Sequence, residues 1–383
     1  MWWGVVGVLL AVCVARLQGT KVVQTSTVFK AGEANYSCFR VPSIATVGDV
    51  VLVFAEERKG SCGDQAPKDI VYKHSTDNGH TWGNLSVLVG EAGTNDTFRN
   101  PYATVSKTPQ RASALSGSCP VMLIVSFVNS TLAEPWTNQR RVSCDAGKTW
   151  SSIEDMALAL WEGVLAGPGT GIEVTIPPFA ADKRSAGELG GIKDKLGSSV
   201  SSSWSRIVSC GATGYHAGHA MNAVVWFSDN RGQVYNVSSS VFAQMQECQV
   251  VQLWNGTLVM NMRNSHLNPC KCRAYALSHD GGATWEGPFW APQLIEPVCS
   301  AGLIRLNDSM YFSNPHSTSQ RINMTVQVTH SNSMDWRVYE QLWPGPSAYS
   351  VMGVNPEGKP CVAYERGSSS PYEELAFAIL NPA

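Results

Sequence analysis

Three stretches of the chain share the pattern Ser-x-Asp-x-Gly-x-x-Trp: Ser75–Trp82 (STDNGHTW), Ser143–Trp150 (SCDAGKTW) and Ser278–Trp285 (SHDGGATW). In this pattern the Asp side chain can hydrogen-bond to backbone two residues further on, and the Gly supplies a positive φ angle. The Trp can then pack the turn against the neighbouring sheet. Because one turn of fixed chemistry occurs three times, we interpret the chain as a repeat protein.

Two further segments keep part of the pattern, Ser228–Tyr235 and Thr329–Trp336. Each of the five segments follows an apolar, β-branched run, and a sixth run lies near the C terminus. The runs are Val50–Phe54, Pro120–Phe127, Ile207–Cys210, Thr257–Met262, Met310–Ser313 and Pro360–Tyr364. Six units of roughly 50 residues, each with short strands and turn signals, are typical of four-stranded blades. The sequence therefore predicts an all-β fold, a six-bladed β-propeller that forms one domain over residues 20–383.

The first 19 residues are predicted to be a secretory signal peptide. Trp2 to Ala15 is a short apolar run, and Arg16 and small residues follow it. The alternative is a buried first strand. Eight Asn-x-Ser/Thr sequons support entry into the secretory pathway: Asn35, Asn84, Asn95, Asn129, Asn236, Asn255, Asn307 and Asn323.

The cysteines and the charge exclude some kinds of site and partner. Outside the signal segment the number of cysteines is even, so disulfides are expected in an oxidising compartment, with connectivity left open. Cys270-Lys-Cys272 lacks the partner histidines of a zinc site, and we expect no metal or other cofactor. A net charge of −2 gives no reason to expect nucleic acid as a partner.

Charged residues recur where the apolar runs end. The first run leads into Glu56-Glu57-Arg58, and Arg263, Arg321 and Glu365 stand at or just after later runs. Taken singly, each arginine could be a solvated surface charge. Their recurrence at matching positions favours one locus, and several arginines together suit an anionic substrate, because a guanidinium binds a carboxylate with two parallel hydrogen bonds.

Further motifs identify a family. Phe39-Arg40-Val41-Pro42 resembles the Phe-Arg-Ile-Pro motif of sialidases (neuraminidases), and the repeated octapeptides resemble that family's Asp boxes. Three other segments resemble the lysosomal sialidases of animals in particular: Ser313-Asn-Pro315, Leu342–Ser347 before Tyr349, and Gln246–Gln249. The similarity extends over nearly the whole chain after the signal segment.

The resemblance implies a role for each of eight residues. Arg40, Arg263 and Arg321 would hold the substrate carboxylate. Glu365 would orient Arg40, and Arg58 would lie near the substrate. Tyr349 would be the nucleophile, Glu247 its partner base and Asp64 the general acid/base. Taken singly, Tyr349 could be a turn aromatic, Glu247 a strand cap and Asp64 a solvated loop acid.

The activity implied is that of an exo-α-sialidase that removes terminal sialic acid from glycoproteins, glycolipids or oligosaccharides with retention. The substrate carries a carboxylate on its anomeric carbon, which would repel a carboxylate nucleophile, and a neutral phenol avoids that repulsion. Two alternatives remain open, a trans-sialidase and a sialic-acid-binding propeller without turnover. The resemblance also implies a lysosomal or secreted destination, and a carboxypeptidase partner or a homo-oligomer. Linkage preference stays open, as does the choice between glycoprotein and ganglioside substrates.

Overall fold

The structure, a computed structural model, describes residues 21–90, 95–107, 119–131, 136–156, 165–176, 204–213, 221–266, 269–330 and 333–383. In these ranges it consists of strands and one short 3-10 helix, Glu33–Asn35. The predicted signal peptide lies outside the described residues. Within them, no helix has the length and apolar character needed to cross a membrane.

The strands are numbered in chain order. The first part of the chain forms β1 (Val22–Lys30), β2 (Cys38–Val47), β3 (Val50–Arg58), β4 (Lys68–Ser75), β5 (Ser86–Val89), β6 (Phe98–Ser106), β7 (Met122–Asn129), β8 (Thr137–Ser143), β9 (Glu154–Asp155), β10 (Leu165–Ala166), β11 (Gly169–Thr170) and β12 (Ile172–Ile176). The remainder forms β13 (Trp204–Thr213), β14 (Asn222–Ser228), β15 (Asn236–Ala243), β16 (Met245–Gln252), β17 (Leu258–Asn264), β18 (Cys272–Ser278), β19 (Glu286–Ile295), β20 (Gly302–Leu306), β21 (Ser309–Pro315), β22 (Ile322–His330), β23 (Arg337–Val354), β24 (Pro360–Arg366) and β25 (Glu374–Leu380).

The described strands form five sheets around a common axis. In order across each sheet they are β2-β3-β4-β5, then β11-β6-β7-β8-β9, β10-β13-β14-β15 with β12 also on β13, β16-β17-β18-β19, and β1-β25-β24-β23-β22-β21-β20. The inner strands meet near the axis: β2 contacts both β6 and β23, β13 contacts β16, and β16 contacts β20. The all-β fold and the propeller arrangement predicted from the repeats are confirmed.

The predicted count of six blades is wrong. Four sheets of four or five strands form separate blades, whereas the last repeats share one seven-stranded sheet. The reason is β23, an uninterrupted strand of 18 residues. Its first part, up to Pro346, pairs with β22, and its second part, from Ser347, pairs with β24. Counting repeats could not reveal the shared sheet, because the repeat period does not show whether a single strand continues from one repeat into the next.

The first strand closes the propeller. Strand β1 pairs antiparallel with β25, from Val22 opposite Leu380 to Lys30 opposite Glu374. The N-terminal strand therefore completes the sheet that the C-terminal strands build. Phe29 of β1 is buried and stacks on Phe39 of β2, with ring centroids 4.8 Å apart. This contact joins the first and last sheets through their cores.

The octapeptide turns share one hydrogen-bond pattern. In the first, the Ser75 hydroxyl accepts the Gly79 N–H at 2.8 Å, and the Asp77 carboxylate accepts the Thr81 N–H at 2.9 Å. The same bonds recur in the second and third intact copies, and in Ser228–Tyr235, where Asn230 takes the place of the Asp. Trp82 packs edge-on against Phe377 of β25. The turns therefore fasten neighbouring sheets together.

The expectation of disulfides is confirmed, and the structure supplies their connectivity. The pairs are Cys38–Cys62, Cys119–Cys144, Cys210–Cys248 and Cys270–Cys272. Cys299 and Cys361 are buried free thiols.

Candidate active site

A cleft of about 220 Å³ opens at one end of the propeller. Seven of the eight residues singled out in the sequence line it: Arg40, Arg58, Asp64, Glu247, Arg263, Arg321 and Tyr349. The eighth, Glu365, is fully buried and bonded to two of the lining segments. In the first sheet Arg58 pairs with Lys68, while Ser75 pairs with Val51 at the other end of the same strands. The octapeptide turns therefore lie at the end opposite to the cleft.

Arg40 reaches the cleft through a break in the pairing of β2. Pro42 has no N–H to give to a neighbouring strand, and the register between β2 and β3 shifts between Arg40 and Ser43. Val41 takes a φ of 55°, which is costly for a β-branched residue. Bulges of this kind re-aim a side chain. Here the Arg-Val-Pro sequence holds Arg40, a residue that is only 5% exposed, beside the cleft.

Glu365 holds this break together. One oxygen of its carboxylate accepts the Val41 N–H at 2.8 Å, and the other accepts the Tyr349 N–H at 3.1 Å. The first oxygen also lies 3.4 Å from Nε of Arg40. Burial would lower the pKa of Arg40, but Glu365 and the neighbouring groups raise it well above its usual value. Glu365 thus couples a charged Arg40 to the backbone of Tyr349.

Tyr349, Glu247 and Arg263 form a compact hydrogen-bonded group. The Tyr349 hydroxyl donates to Glu247 Oε1 at 2.5 Å and accepts from Arg263 Nη1 at 2.9 Å. Arg263 Nη1 also donates to Glu247 Oε2 at 2.6 Å. Burial and the negative charge of Glu247 both raise the pKa of Tyr349. The phenol therefore holds its proton more firmly than a free tyrosine does, and it donates that proton in a hydrogen bond to the Glu247 carboxylate.

Three arginines from distant parts of the chain converge on Tyr349. Arg263 is bonded to its hydroxyl. The guanidinium carbons of Arg40 and Arg321 lie 5.6 and 5.3 Å from the centre of its ring. Arg321 is oriented by the Val298 carbonyl at 3.0 Å. The predicted convergence of these arginines at one locus is thus seen in the structure, and it places three positive charges around Tyr349.

Asp64 lies in the loop between β3 and β4, with its side chain 70% exposed. The Cys38–Cys62 disulfide ties this loop to β2. Asp64 Oδ1 accepts from Arg58 Nη1 at 2.8 Å and from Arg40 Nη1 at 3.2 Å. Burial alone would raise the pKa of Asp64, but Arg58 and Arg40 outweigh it and hold that pKa below its usual value. In the free protein the Asp64 carboxylate is therefore bound to two of the arginines that line the cleft.

Arg58 fixes the stem of the same loop. Its guanidinium donates to the buried Glu56 at 2.7 Å, to the Cys62 carbonyl at 2.6 Å and to Asp64. It therefore serves the loop geometry as well as lining the cleft.

Comparison with known proteins agrees with this geometry. A model of the BNR repeat-like domain matches residues 68–362. The chain belongs to the BNR repeat-like domain family. It is 24% identical to a sialidase of Micromonospora viridifaciens over 91% of this chain and 53% of that protein. It is 26% identical to a sialidase of Bacteroides fragilis over 82% of this chain and 56% of that protein. The chain thus spans little more than half the length of these two curated relatives.

Among solved structures, the chain resembles the Hadza microbial sialidase, with a TM-score of 0.70, 20% sequence identity, and 93% of this chain and 68% of that chain covered. At this identity the likeness concerns the fold. Together with the relatives, this confirms the resemblance to sialidases that the sequence motifs predicted. Within this BNR repeat-like chain, seven of the eight residues to which the resemblance assigns a role line the cleft, and the eighth, Glu365, is buried next to it.

The structure adds lining residues that the sequence motifs did not single out. They include Arg99, Asn100 and Trp136. One signal could have found two of them. Arg99-Asn100-Pro101 repeats the Arg-x-Pro order of Arg40-Val41-Pro42.

The repeated Arg-x-Pro order has the same structural effect in both strands. The register of β6 shifts between Arg99 and Tyr102, and Asn100 has a φ of 53°. The Asn100 N–H bonds to a buried carboxylate, Glu56, as the Val41 N–H bonds to Glu365. The chain therefore uses one backbone device twice to bring an arginine to the cleft.

Proposed function

We propose that this chain is an exo-α-sialidase that hydrolyses terminal sialic acid from glycoproteins, glycolipids or oligosaccharides with retention of configuration. The observation that carries the proposal is the Tyr349–Glu247–Arg263 group inside a cleft flanked by three arginines. A phenol bonded to a carboxylate base at 2.5 Å is suited to nucleophilic attack at a centre that already bears a negative group.

Substrate recognition would rest on Arg40, Arg263 and Arg321. Each carries a planar guanidinium that remains charged at any working pH, and each is held by a partner in the protein. The sialic acid carboxylate would bind among them, beside the Tyr349 ring. That position turns the anomeric carbon toward the phenolic oxygen.

In the first chemical step, the Tyr349 oxygen forms a bond to the anomeric carbon while the glycosidic C–O bond breaks. Glu247 takes the phenolic proton, and Asp64 gives a proton to the departing oxygen. In the second step, Asp64 takes a proton from water, whose oxygen attacks the same carbon, and Glu247 returns its proton to the leaving Tyr349 oxygen. Two displacements at one carbon give net retention.

Substrate binding would also prepare Asp64. In the free protein Arg40 Nη1 donates to the Asp64 carboxylate. A substrate carboxylate competes for that arginine and adds a negative charge nearby, and both changes raise the pKa of Asp64. Asp64 would then take up the proton that it needs as a general acid.

The direct test of this proposal follows purified protein with a natural sialoside by proton NMR. The α-anomer of free sialic acid should appear first and then mutarotate. Initial release of the β-anomer, or no release, would overturn the proposal. Labelled lactose added to the same reaction distinguishes hydrolysis from transfer, because a trans-sialidase would transfer sialic acid to the lactose. Binding without any release would indicate a sialic-acid-binding propeller.

We also propose that the chain works in the secretory pathway, with the lysosome or the cell exterior as its destination. Six of the eight sequon asparagines are exposed and the other two, Asn129 and Asn323, are half-buried. Expression in animal cells should therefore give a protein whose mass falls on treatment with peptide-N-glycosidase. Size-exclusion chromatography of the same preparation alone tests for a homo-oligomer. A second run with a carboxypeptidase tests whether the two proteins elute together as a complex.

A further inference from the structure

The loop that carries Asp64 is held by its main chain as well as by its side chain. The Asp64 carbonyl oxygen accepts two hydrogen bonds from cations: Lys68 Nζ donates at 2.8 Å, and Arg99 Nη1 also donates at 2.8 Å. The two cations come from neighbouring sheets, since Lys68 begins β4 and Arg99 lies in β6. Bonds from charged donors are stronger than neutral ones, so this carbonyl is firmly located.

Lys68 is placed for this contact by the backbone around it. The residue is fully buried, and its N–H donates to the Asp96 carbonyl at 2.8 Å. It also forms a β-bridge with Thr97, just before β6. Lys68 therefore stands at the junction of two sheets, with its ammonium group under the Asp64 loop.

Arg99 is fixed from several sides. Its Nε donates to the Ser130 hydroxyl at 2.7 Å, and its guanidinium carbon lies 5.0 Å from the centre of the Trp136 ring. Its backbone is set by the bulge that precedes Tyr102. A guanidinium restrained in this way loses little further entropy when it binds the carbonyl.

We propose that Lys68 and Arg99 are positioning residues that hold Asp64 at the correct place to protonate the departing glycosidic oxygen. This inference rests on the proposed function. The carboxyl of Asp64 is largely exposed and sits on a loop, so its position depends on its anchors. Transfer of a proton requires hydrogen-bond distance to the leaving oxygen, and a displacement of about 1 Å is costly.

The test compares Lys68→Met and Arg99→Met with wild type on two substrates. One is sialyllactose, whose leaving group needs a proton, and the other is an aryl sialoside, whose leaving group hardly does. We expect kcat on sialyllactose to fall about 10- to 100-fold, with KM changed less than about threefold and the aryl sialoside affected far less. Arg99→Lys should restore part of the loss, because it keeps a cationic donor.

Lys73→Met is the matched control. Lys73 is a second buried lysine on β4, but it pairs with Glu33 at 2.6 Å and lies over the Phe29 ring, away from the cleft. Its replacement should leave the ratio of the two activities unchanged. Equal losses on both substrates in the Lys68 and Arg99 variants, or no loss, would overturn the proposal.

A second measurement does not depend on activity. Amide hydrogen exchange over residues 59–67 should become faster in Lys68→Met and Arg99→Met, and stay as in wild type in Lys73→Met. If wild type cleaves neither sialoside, the proposed function fails, and the exchange data alone then decide whether these cations anchor the loop. Unchanged exchange in that loop contradicts the anchoring.

Discussion

The charged residues around Tyr349 contact different parts of it. Glu247 and Arg263 are both bonded to the Tyr349 hydroxyl. The carboxylate can take the phenolic proton, and the guanidinium offsets the charge that remains. The Glu365 carboxylate accepts a hydrogen bond from the backbone N–H of Tyr349 and makes no hydrogen bond with the phenol. In the proposed mechanism the two glutamates therefore have different roles: Glu247 accepts a proton, and Glu365 holds the backbone.

The arginine cluster predicts that the conservative change Arg321→Lys weakens binding of a sialic acid analogue. Lysine offers a point charge instead of a planar fork, and it cannot donate to the Val298 carbonyl and the substrate carboxylate in the same way. We expect affinity for a sialic acid analogue to fall at least about tenfold, as measured by calorimetry. A change below about twofold would count against a role for Arg321 in carboxylate binding.

The protonation of Asp64 predicts how turnover depends on pH. As the proposed general acid, Asp64 would have to be protonated, and Arg58 and Arg40 hold its pKa below the usual value. Turnover of sialyllactose should therefore decline as pH rises from the acidic range toward neutrality. Asp64→Asn should lower that turnover by about 10²- to 10⁴-fold but affect an aryl sialoside much less. Equal losses on both substrates would show that Asp64 is not the acid.

At the scale of the strands and turns, the sequence motifs predicted more of the site than of the sheets. The run-end arginines were identifiable because charged residues recur where apolar strands end. Arg-Val-Pro and Tyr349 were identified through the resemblance to sialidases, since a tyrosine is common in strands. Arg99 was missed although it shares the Arg-x-Pro order with Arg40, because the equivalence of the two residues depends on a backbone bulge at Asn100 that the structure reveals. The sheet count failed because pairing on both sides of β23 is a long-range property.

The octapeptide turn predicts that Gly79 is intolerant of a side chain. Its φ is +97°, and a Cβ there would lie 2.3 Å from the Phe377 ring. Gly79→Ala should cost about 1–3 kcal/mol of unfolding free energy in denaturant titrations. Gly48→Ala is the control, because Gly48 also has a positive φ but nothing within 4 Å of its would-be Cβ. Equal costs for the two variants would show that the contact with Phe377 is unimportant.

At the scale of the whole molecule, the site depends on closure of the propeller. Arg40 lies in β2, in the sheet that begins the circuit, whereas Tyr349 and Glu365 belong to the sheet that ends it. Strand β1 and the Phe29–Phe39 stack hold these two sheets together. The cleft is therefore complete only when both ends of the described chain are docked.

This closure predicts that Phe29→Ala destabilises the protein by about 3–5 kcal/mol, because the ring is fully buried. Phe289→Ala serves as the comparison, since Phe289 is 39% exposed, and it should cost under about 1 kcal/mol. Thermal unfolding of both variants measures the difference. A Phe29→Ala protein as stable as Phe289→Ala would mean that β1 does not secure the closure.

The measurement that tests the tyrosine mechanism most directly is turnover and binding by Tyr349→Phe, with Tyr372→Phe as its control. Each change removes one hydroxyl and keeps a ring that lies beside Arg321, but of the two tyrosines only Tyr349 is bonded to Glu247. We predict that Tyr349→Phe lowers turnover about 10³-fold or more, while affinity for a carboxylate-bearing analogue changes less than about threefold. Tyr372→Phe should retain most of its turnover. Near-normal turnover by Tyr349→Phe would contradict the mechanism, even with the propeller and the arginine cluster unchanged.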